Sequence, residues 1–169
     1  FIELLDKTSW GDSLKVIFED IRQPNGSILR QKRDYTVLAV PNSAYASSGI
    51  SSFNDLATLL EAGSDYENPE NELNRYAAYH IIEGNYPLFN LYTFDSNDNK
   101  KLWGTKAESV FELSLEEDGN YYLNYDGGED IMARFIEASS NVLAKNGILH
   151  RISQIAMDVG FGSIGHFIE

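Results

Sequence analysis

Leu14, Ile17, Phe18 and Ile21 recur at i, i+3, i+4 and i+7, a spacing that gathers them on one face of a helix. With Asp12 or Ser13 as N-cap, an amphipathic helix is predicted over residues 12–22. Pro24 to Ser27 is a turn signal, and the β-rich run from Tyr35 to Val40, stopped by Pro41, reads as a short buried strand. A second helix is predicted over 53–62, with Leu56, Leu59 and Leu60 on one face and Gly63 suited to a left-handed C-terminal position. A third is predicted with Asn68 as cap, Pro69 at the first helical position and Glu70 and Glu72 complementing the helix N-terminus. On it Leu73, Tyr76, Ala77 and His80 share a face.

The period then changes to two. Phe111, Leu113 and Leu115 alternate with Glu112, Ser114 and Glu116, and Asp118 with Gly119 separates them from a second run at 121–125, which predicts a hairpin. Two further strand-like runs cover 131–139 and 147–157. Helices followed by strands favour an α+β fold over an alternating doubly wound sheet. Without an internal linker, one domain is expected over residues 1–158, with 159–169 as a C-terminal tail.

Composition agrees with one globular domain: 169 residues, 43% hydrophobic and 23% charged, enough chain to bury roughly 70% of its unfolded surface. A formal charge of −13 repels phosphate backbones and anionic lipids, so nucleic acid is not an expected partner. No apolar run reaches the roughly 20 residues of a transmembrane helix, so a membrane is expected only through an anchor outside this chain. Because the first residue is Phe1, a mature or excised fragment is expected, with any export signal or lipid anchor upstream. Zero cysteines exclude disulfides, thiol catalysis and cysteine metal sites.

Candidate chemical motifs fail on their context. Gly160, Gly162 and Gly165 match G-x-G-x-x-G, but neither the following helix nor the later acidic residue of a dinucleotide site has room before Glu169. Asp95, Asn97 and Asn99 resemble the start of a calcium loop, yet Lys100 and Lys106 replace its glycine and its bidentate glutamate. His80, His150 and His166 form no zinc spacing, so neither a metal nor another cofactor is expected. The paired carboxylates Glu116–Glu117 and Glu129–Asp130 read as solvated charges beside turns. Asn25, Gly26 and Ser27 fit a glycosylation sequon, but as a turn the three explain themselves. A serine–histidine–acid site assembled through space around His80 or His150 stays open as an alternative.

Three segments, in order, resemble the fasciclin domain family. The run Tyr35 to Ala46 looks like its first block, through Thr36, Val37, Ala39, Pro41, Asn42, Ala44 and Tyr45, with Val40 inserted before the proline. Residues 76–86 look like its tyrosine-histidine block, through Tyr79, His80, Ile81, Ile82, Gly84 and Tyr86. Residues 144–157 look like its last block, through Asn146, Gly147, Ile148, Leu149, His150 and Ile152, with Ser153 where aspartate is usual. Residues 62–71 and 92–109 read as insertions. A tetrapeptide at Glu129 to Met132 looks like a family integrin-binding motif but lies about ten residues out of register, so it is read as a strand start.

The resemblance implies a wedge of β-strands packed with several helices, and a non-catalytic binding or adhesion module, extracellular or at a cell surface. An outer-membrane lipoprotein of a bacterium is one such setting. Its partner would be an extracellular protein or glycan, or a second copy in a homophilic contact. Thr36, Pro41, Asn42, Gly84, Asn146, Gly147 and His150 are implied as structural motif residues, and Tyr79 and His80 as binding residues. Because His80 lies on an apolar helical face, Tyr79 is the one expected to reach a partner. Exposed tyrosines around Tyr66 and Tyr92 are the expected recognition patch. A structural spacer between neighbouring domains is the third alternative.

Overall fold

A computed structural model describes residues 1–93, 99–124 and 133–156. The chain starts with two short helices, α1 (Ile2–Lys7) and α2 (Trp10–Ser13), then forms a hairpin of β1 (Phe18–Arg22) and β2 (Ile28–Lys32). Strand β3 (Tyr35–Ala39) leads into helices α3 (Asn42–Ser47), α4 (Phe53–Leu59) and α5 (Glu72–Tyr79), strand β4 (Ile81–Glu83) and helix α6 (Leu88–Leu91). Strands β5 (Lys100–Gly104), β6 (Val110–Leu115), β7 (Tyr121–Leu123), β8 (Ala133–Arg134), β9 (Val142–Ala144) and β10 (Gly147–Arg151) complete the described chain. One four-stranded sheet has the order β4-β3-β10-β9 and the other β5-β6-β7-β8, so the class is α+β.

The helix predicted over 12–22 is a short helix followed by a strand. Val16, Ile17, Phe18 and Ile21 are β-branched or aromatic, and the turn at Asn25 folds them onto residues 28–32 from Phe18↔Lys32 to Arg22↔Ile28. Asn25 Oδ1 accepts from the Ser27 amide at 3.0 Å and Gly26 sits at φ +82°, so the sequon residues build the turn. The carbonyls of Leu14 and Val16, which a helix would use internally, accept instead from Asn146 Nδ2 at 2.9 and 3.2 Å. A distant side chain and a local hairpin together outcompete a helix whose apolar face would have no core to meet.

Helix α4 starts as predicted, opened by a reciprocal Ser52–Asp55 capping box, but it ends at Leu59 rather than at 62: Glu61, at φ +51°, takes the left-handed C-terminal position expected of Gly63, with its amide on the Thr58 carbonyl at 3.1 Å and the Ala62 amide on the Ala57 carbonyl at 3.0 Å. Helix α5 starts later than expected. Asn68 Oδ1 holds the Glu70 amide in a turn at 3.0 Å, while Asn71 is the N-cap, accepting from the Leu73 amide at 2.9 Å. Asn71 wins because its Nδ2 also bonds the Ala62 carbonyl at the end of α4, tying the two helices together. The N-cap of α2 is tied to α5 through Asn74, whose amide donates to Ser9 Oγ at 2.9 Å and to the Tyr66 and Glu67 carbonyls at 3.0 Å each.

The hairpin around Asp118–Gly119 forms as predicted between β6 and β7, with Leu113↔Leu123 and Leu115↔Tyr121 opposed. Residues 92–109, read as an insertion, supply a regular element. Strand β5 pairs with β6 from Lys100↔Ser114 to Gly104↔Val110. As an edge strand with Lys100 and Lys101 it has no apolar alternation strong enough to announce it. Trp103 nevertheless packs against Tyr86, their rings 4.8 Å apart, and joins the second sheet to the turn after β4. The run from 131 gives β8 and a single bridge, Phe135↔Ile152, which connects the two sheets. No helix among the described residues is long and apolar enough to cross a membrane. The tail, most of the calcium-like stretch and the 129–132 tetrapeptide lie outside the described residues.

Candidate functional site

The three blocks that carry the family resemblance meet in one sheet. Strand β3 runs parallel to β10 and antiparallel to β4, so Thr36 lies between Ile82 and Ile148, and Leu38 faces His150. Thr36, wholly buried, donates through Oγ1 to the Gly84 carbonyl at 2.8 Å and accepts from the Tyr86 amide at 2.9 Å. His150 Nε2–H donates to the Tyr86 carbonyl at 2.7 Å, and its Nδ1 accepts from the Asn141 amide at 3.2 Å. A threonine from the first block and a histidine from the last thus grip the turn of the middle one.

The glycines answer to close approach. Gly84 sits at φ +110°, and a Cβ there would lie 2.6 Å from the Tyr86 ring. Gly147 sits at φ +154°, where a Cβ would come within 1.9 Å of the Tyr35 carbonyl oxygen on the adjacent strand. Asn146 secures the segment before the hairpin, and its own carbonyl accepts from the Tyr35 amide at 2.9 Å. Pro41 is the N-cap of α3, its carbonyl accepting from the Ala44 amide at 3.0 Å, and Asn42 opens that helix.

Tyr79 and His80 end α5, at 1% and 0% relative exposure. His80 Nδ1–H donates to the Tyr76 carbonyl at 2.9 Å, which fixes the tautomer, and the ring packs against Tyr76 at 4.7 Å and Phe1 at 5.5 Å. Burial pushes the imidazole down to about 4, so the ring is neutral near pH 7. A protonated ring would also carry an N–H at Nε2, where it meets no hydrogen-bond partner among the described residues. Tyr79 accepts at its hydroxyl from Asn124 Nδ2 at 2.6 Å, and Asn124 Oδ1 accepts from the Glu112 amide at 2.9 Å. This chain links α5 to the second sheet.

The expected reach of Tyr79 to a partner is therefore corrected: helix α5 turns its side chain inward, and neither residue of the pair presents a surface. Tyr79→Phe should cost about 1–2 kcal/mol by leaving the Asn124 amide short of an acceptor, while any binding by the folded protein persists. Urea denaturation alongside a binding assay checks both. In the patch expected around Tyr66 and Tyr92 both rings are half-buried, each with one face on a neighbouring ring. Tyr66 meets Phe53 edge-on at 5.2 Å, and Tyr92 stacks on Tyr121 at 3.7 Å. Burial, and to a lesser extent Glu137, raise the Tyr92 hydroxyl pKa well above its ordinary value.

Hydrolytic chemistry does not assemble at either described histidine. Both ring nitrogens of His150 and the Nδ1 of His80 bond backbone groups, and among the described residues no serine hydroxyl or carboxylate holds either ring. No group of three histidine, aspartate or glutamate side chains is arranged to hold a metal ion among the described residues. A cleft of about 350 Å³ opens between α1, α3 and α4, lined among others by Phe1, Glu3, Asn42, Tyr45 and Phe53. Neither histidine lines it. Tyr45, on its wall, has its hydroxyl pKa pushed up to about 12 by burial, with a 3.2 Å hydrogen bond to the Tyr76 hydroxyl acting in the opposite sense.

No protein-family model matches the chain. No curated protein matches it either. Among solved structures, a FAS1 domain pair from the insect cell adhesion molecule fasciclin I is similar to it, with a TM-score of 0.48 and 17% sequence identity. The match covers 72% of this chain and 36% of that one, so this chain corresponds to about a third of the domain pair's length.

Asn124 and Asn141 are frame residues that the sequence did not single out. Both sit at positive φ, +54° and +58°, and both use the side-chain oxygen on a distant backbone amide, Glu112 for Asn124 and Leu88 at 2.9 Å for Asn141. Their one legible signal is an asparagine at the edge of a strand, where that residue type tolerates the left-handed conformation.

Proposed function

We propose that the chain is a non-catalytic binding module of the fasciclin type, acting outside the cell or at its surface and engaging an extracellular protein or glycan. The observation that carries this reading is the fate of the block residues. Thr36, Asn146 and His150 are spent on hydrogen bonds to the backbone of other segments, Gly84 and Gly147 on close approaches, and Tyr79 and His80 on the core behind them. A sequence signature consumed by architecture specifies a rigid frame, and a rigid frame serves to present the loops and edges around it.

The test is an array of extracellular proteins and glycans probed with the folded chain. At least one saturable interaction is expected, and it should weaken with salt because the chain carries −13. Absence of binding at every salt concentration would overturn the reading. A binding partner lost in Thr36→Val only to the extent that the fold itself is lost would support the frame assignment, since Thr36 has no path to the surface.

A further inference from the structure

We propose that the Arg33–Asp34 peptide bond is a processing site for an extracellular serine endoprotease that reads paired basic residues, and that the cut chain stays assembled. Residues 30–33 read Arg-Gln-Lys-Arg, with cations at the first, second and fourth positions before that bond. Carboxylate-lined subsites of such a protease recognise this spacing. The proposal goes beyond the binding-module reading and needs only the same compartment. Conformation supports the motif. Arg30, Gln31 and Lys32 belong to β2, and the Arg33 amide continues its ladder by donating to the Ile17 carbonyl at 2.8 Å. Arg30 and Lys32, opposite Asp20 and Phe18, therefore share one face of an extended strand, and Arg33 falls on the other. A protease that takes its substrate as an added β-strand needs this alternation. The ribbon pairs only with itself among the described residues, so the outer edge of β2 has backbone groups to offer, and all of β2 is exposed.

The bond itself lies in the short link between ribbon and body, since β2 ends at Lys32 and β3 begins at Tyr35. Among the described residues neither the Arg33 carbonyl nor the Asp34 amide makes a hydrogen bond. On the far side of the bond the Asp34 carbonyl accepts from the Gly84 amide at 2.7 Å, and the Tyr35 amide donates to the Asn146 carbonyl. The residues to be recognised all lie before the bond, in the ribbon, so β3 need not leave its sheet. Surface ion pairs hold their side chains: Arg30 with Asp20 at 2.8 Å, Lys32 with Asp34 at 2.7 Å, and Arg33 with Glu19 and Glu83. Such pairs are weak in water, and carboxylates of the protease can take the place of those on the chain. Ile28 and Leu29 are 69% and 52% exposed, so unzipping β2 from β1 uncovers little apolar surface.

Cleavage breaks the bond between the Arg33 carbonyl carbon and the Asp34 nitrogen. The protease serine takes the Arg33 acyl group, the Asp34 amine leaves with a proton, and water then releases the new Arg33 carboxylate. One water is consumed and no other reactant. The product remains one body because the first piece keeps its own ties. Leu4 is buried in the core, Ser9 is bonded to Asn74, and the Leu14 and Val16 carbonyls accept from Asn146. Strand β3, at the head of the second piece, stays between β4 and β10.

The test incubates the folded 169-residue chain with a subtilisin-like endoprotease specific for paired basic residues, beside a synthetic peptide of residues 28–37. Both should be cut between Arg33 and Asp34, read by intact mass and by sequencing of the new N-terminus, which begins Asp34-Tyr35-Thr36. The two pieces should elute together on size exclusion at neutral pH and part in urea. Arg33→Gln and Arg30→Gln should each slow the cut at least about tenfold. Arg22→Gln, outside the tetrad, should leave the rate unchanged. A chain left whole while the peptide is cut overturns the inference. So does a first cut elsewhere, a rate that Arg30→Gln leaves unchanged, or pieces that part without urea. A cut chain that binds nothing on the array removes the binding-module reading alone, and a chain that resists the protease yet binds there sinks this inference alone.

Discussion

Gly147→Ala should destabilise the protein by roughly 3 kcal/mol or more. The added Cβ would lie 1.9 Å from the Tyr35 carbonyl oxygen, a backbone atom on the neighbouring strand that no rotamer change can move aside. Gly147 also sits at φ +154°, which an L side chain rarely adopts. Relief would require β10 to draw away from β3, and those two strands carry the first and last blocks. The loss would therefore spread to the His150 lock on Tyr86 and to the Asn146 tie on the hairpin base. Urea denaturation at neutral pH measures it, and a midpoint equal to that of the parent would contradict the close approach. Gly119→Ala is the control: Gly119 also has positive φ, +80°, but no atom lies within 4 Å of its added Cβ, so its cost should stay near 1 kcal/mol.

Stability should also fall as pH is lowered from about 6.5 to about 4, by roughly 3 kcal/mol from His80. The sign follows from burial. In the folded chain the imidazole is pushed down to about 4, against an ordinary 6.5, so the unfolded chain takes the proton first and folding is penalised across that window. Below the folded value both states are protonated and His80 adds nothing more. His150 is shifted in the same direction, also chiefly by burial, although its Tyr86 hydrogen bond opposes the shift. Asp118 is held down to about 2, first by the Tyr122 hydroxyl and then by the Asn120 side chain. Its contribution is present above the ordinary carboxylate range and fades only as pH falls towards the folded value.

His80→Asn separates these contributions because it keeps a donor for the Tyr76 carbonyl and removes the titrating ring. The variant should be less stable at pH 7 by about 1–3 kcal/mol, through lost packing against Tyr76 and Phe1. It should lose most of the slope between pH 6.5 and 4. Denaturation midpoints measured across that range decide it, and a slope equal to the parent's would show that His80 is not the buried neutral group described above.

Local pattern was enough wherever the elements are decided by neighbours in the chain. The start of α4 at its capping box, the β3 strand stopped before Pro41, the β6–β7 hairpin at Asp118–Gly119 and the buried face of Leu73, Tyr76, Ala77 and His80 all follow from periods, caps and turns. The inward role of His80 was legible for the same reason, since a 3.6-residue period fixes which side chains share a face. The resemblance blocks also mark the three strands that become neighbours, but spacing along a chain carries no information about which strand lies between the others. Tertiary structure put β3 in the middle and thereby made Thr36 and His150 a clamp on Gly84 and Tyr86.

Long-range competition decided the rest. The apolar spacing at 14, 17, 18 and 21 is a valid helix signal, yet Asn146, more than a hundred residues away, takes two of the carbonyls and the turn at Asn25 supplies a strand partner. Strand β5 was invisible because Lys101 shares its inner face with Trp103 and breaks the apolar alternation, so that only pairing with β6 defines it. Tyr79 illustrates the same division. The sequence placed it beside His80 at the end of a helix, but its direction depends on Asn124 across the second sheet. What the sequence determined by itself was the α+β class and the helical face that is buried, because those depend on period and residue type, while Thr36, Gly84, Asn146, Gly147 and His150 were marked as frame residues by the family resemblance alone. Which strands became neighbours, which way Tyr79 points and the exposed arm from 18 to 32 were set by contacts between distant segments, whose energies no local window contains.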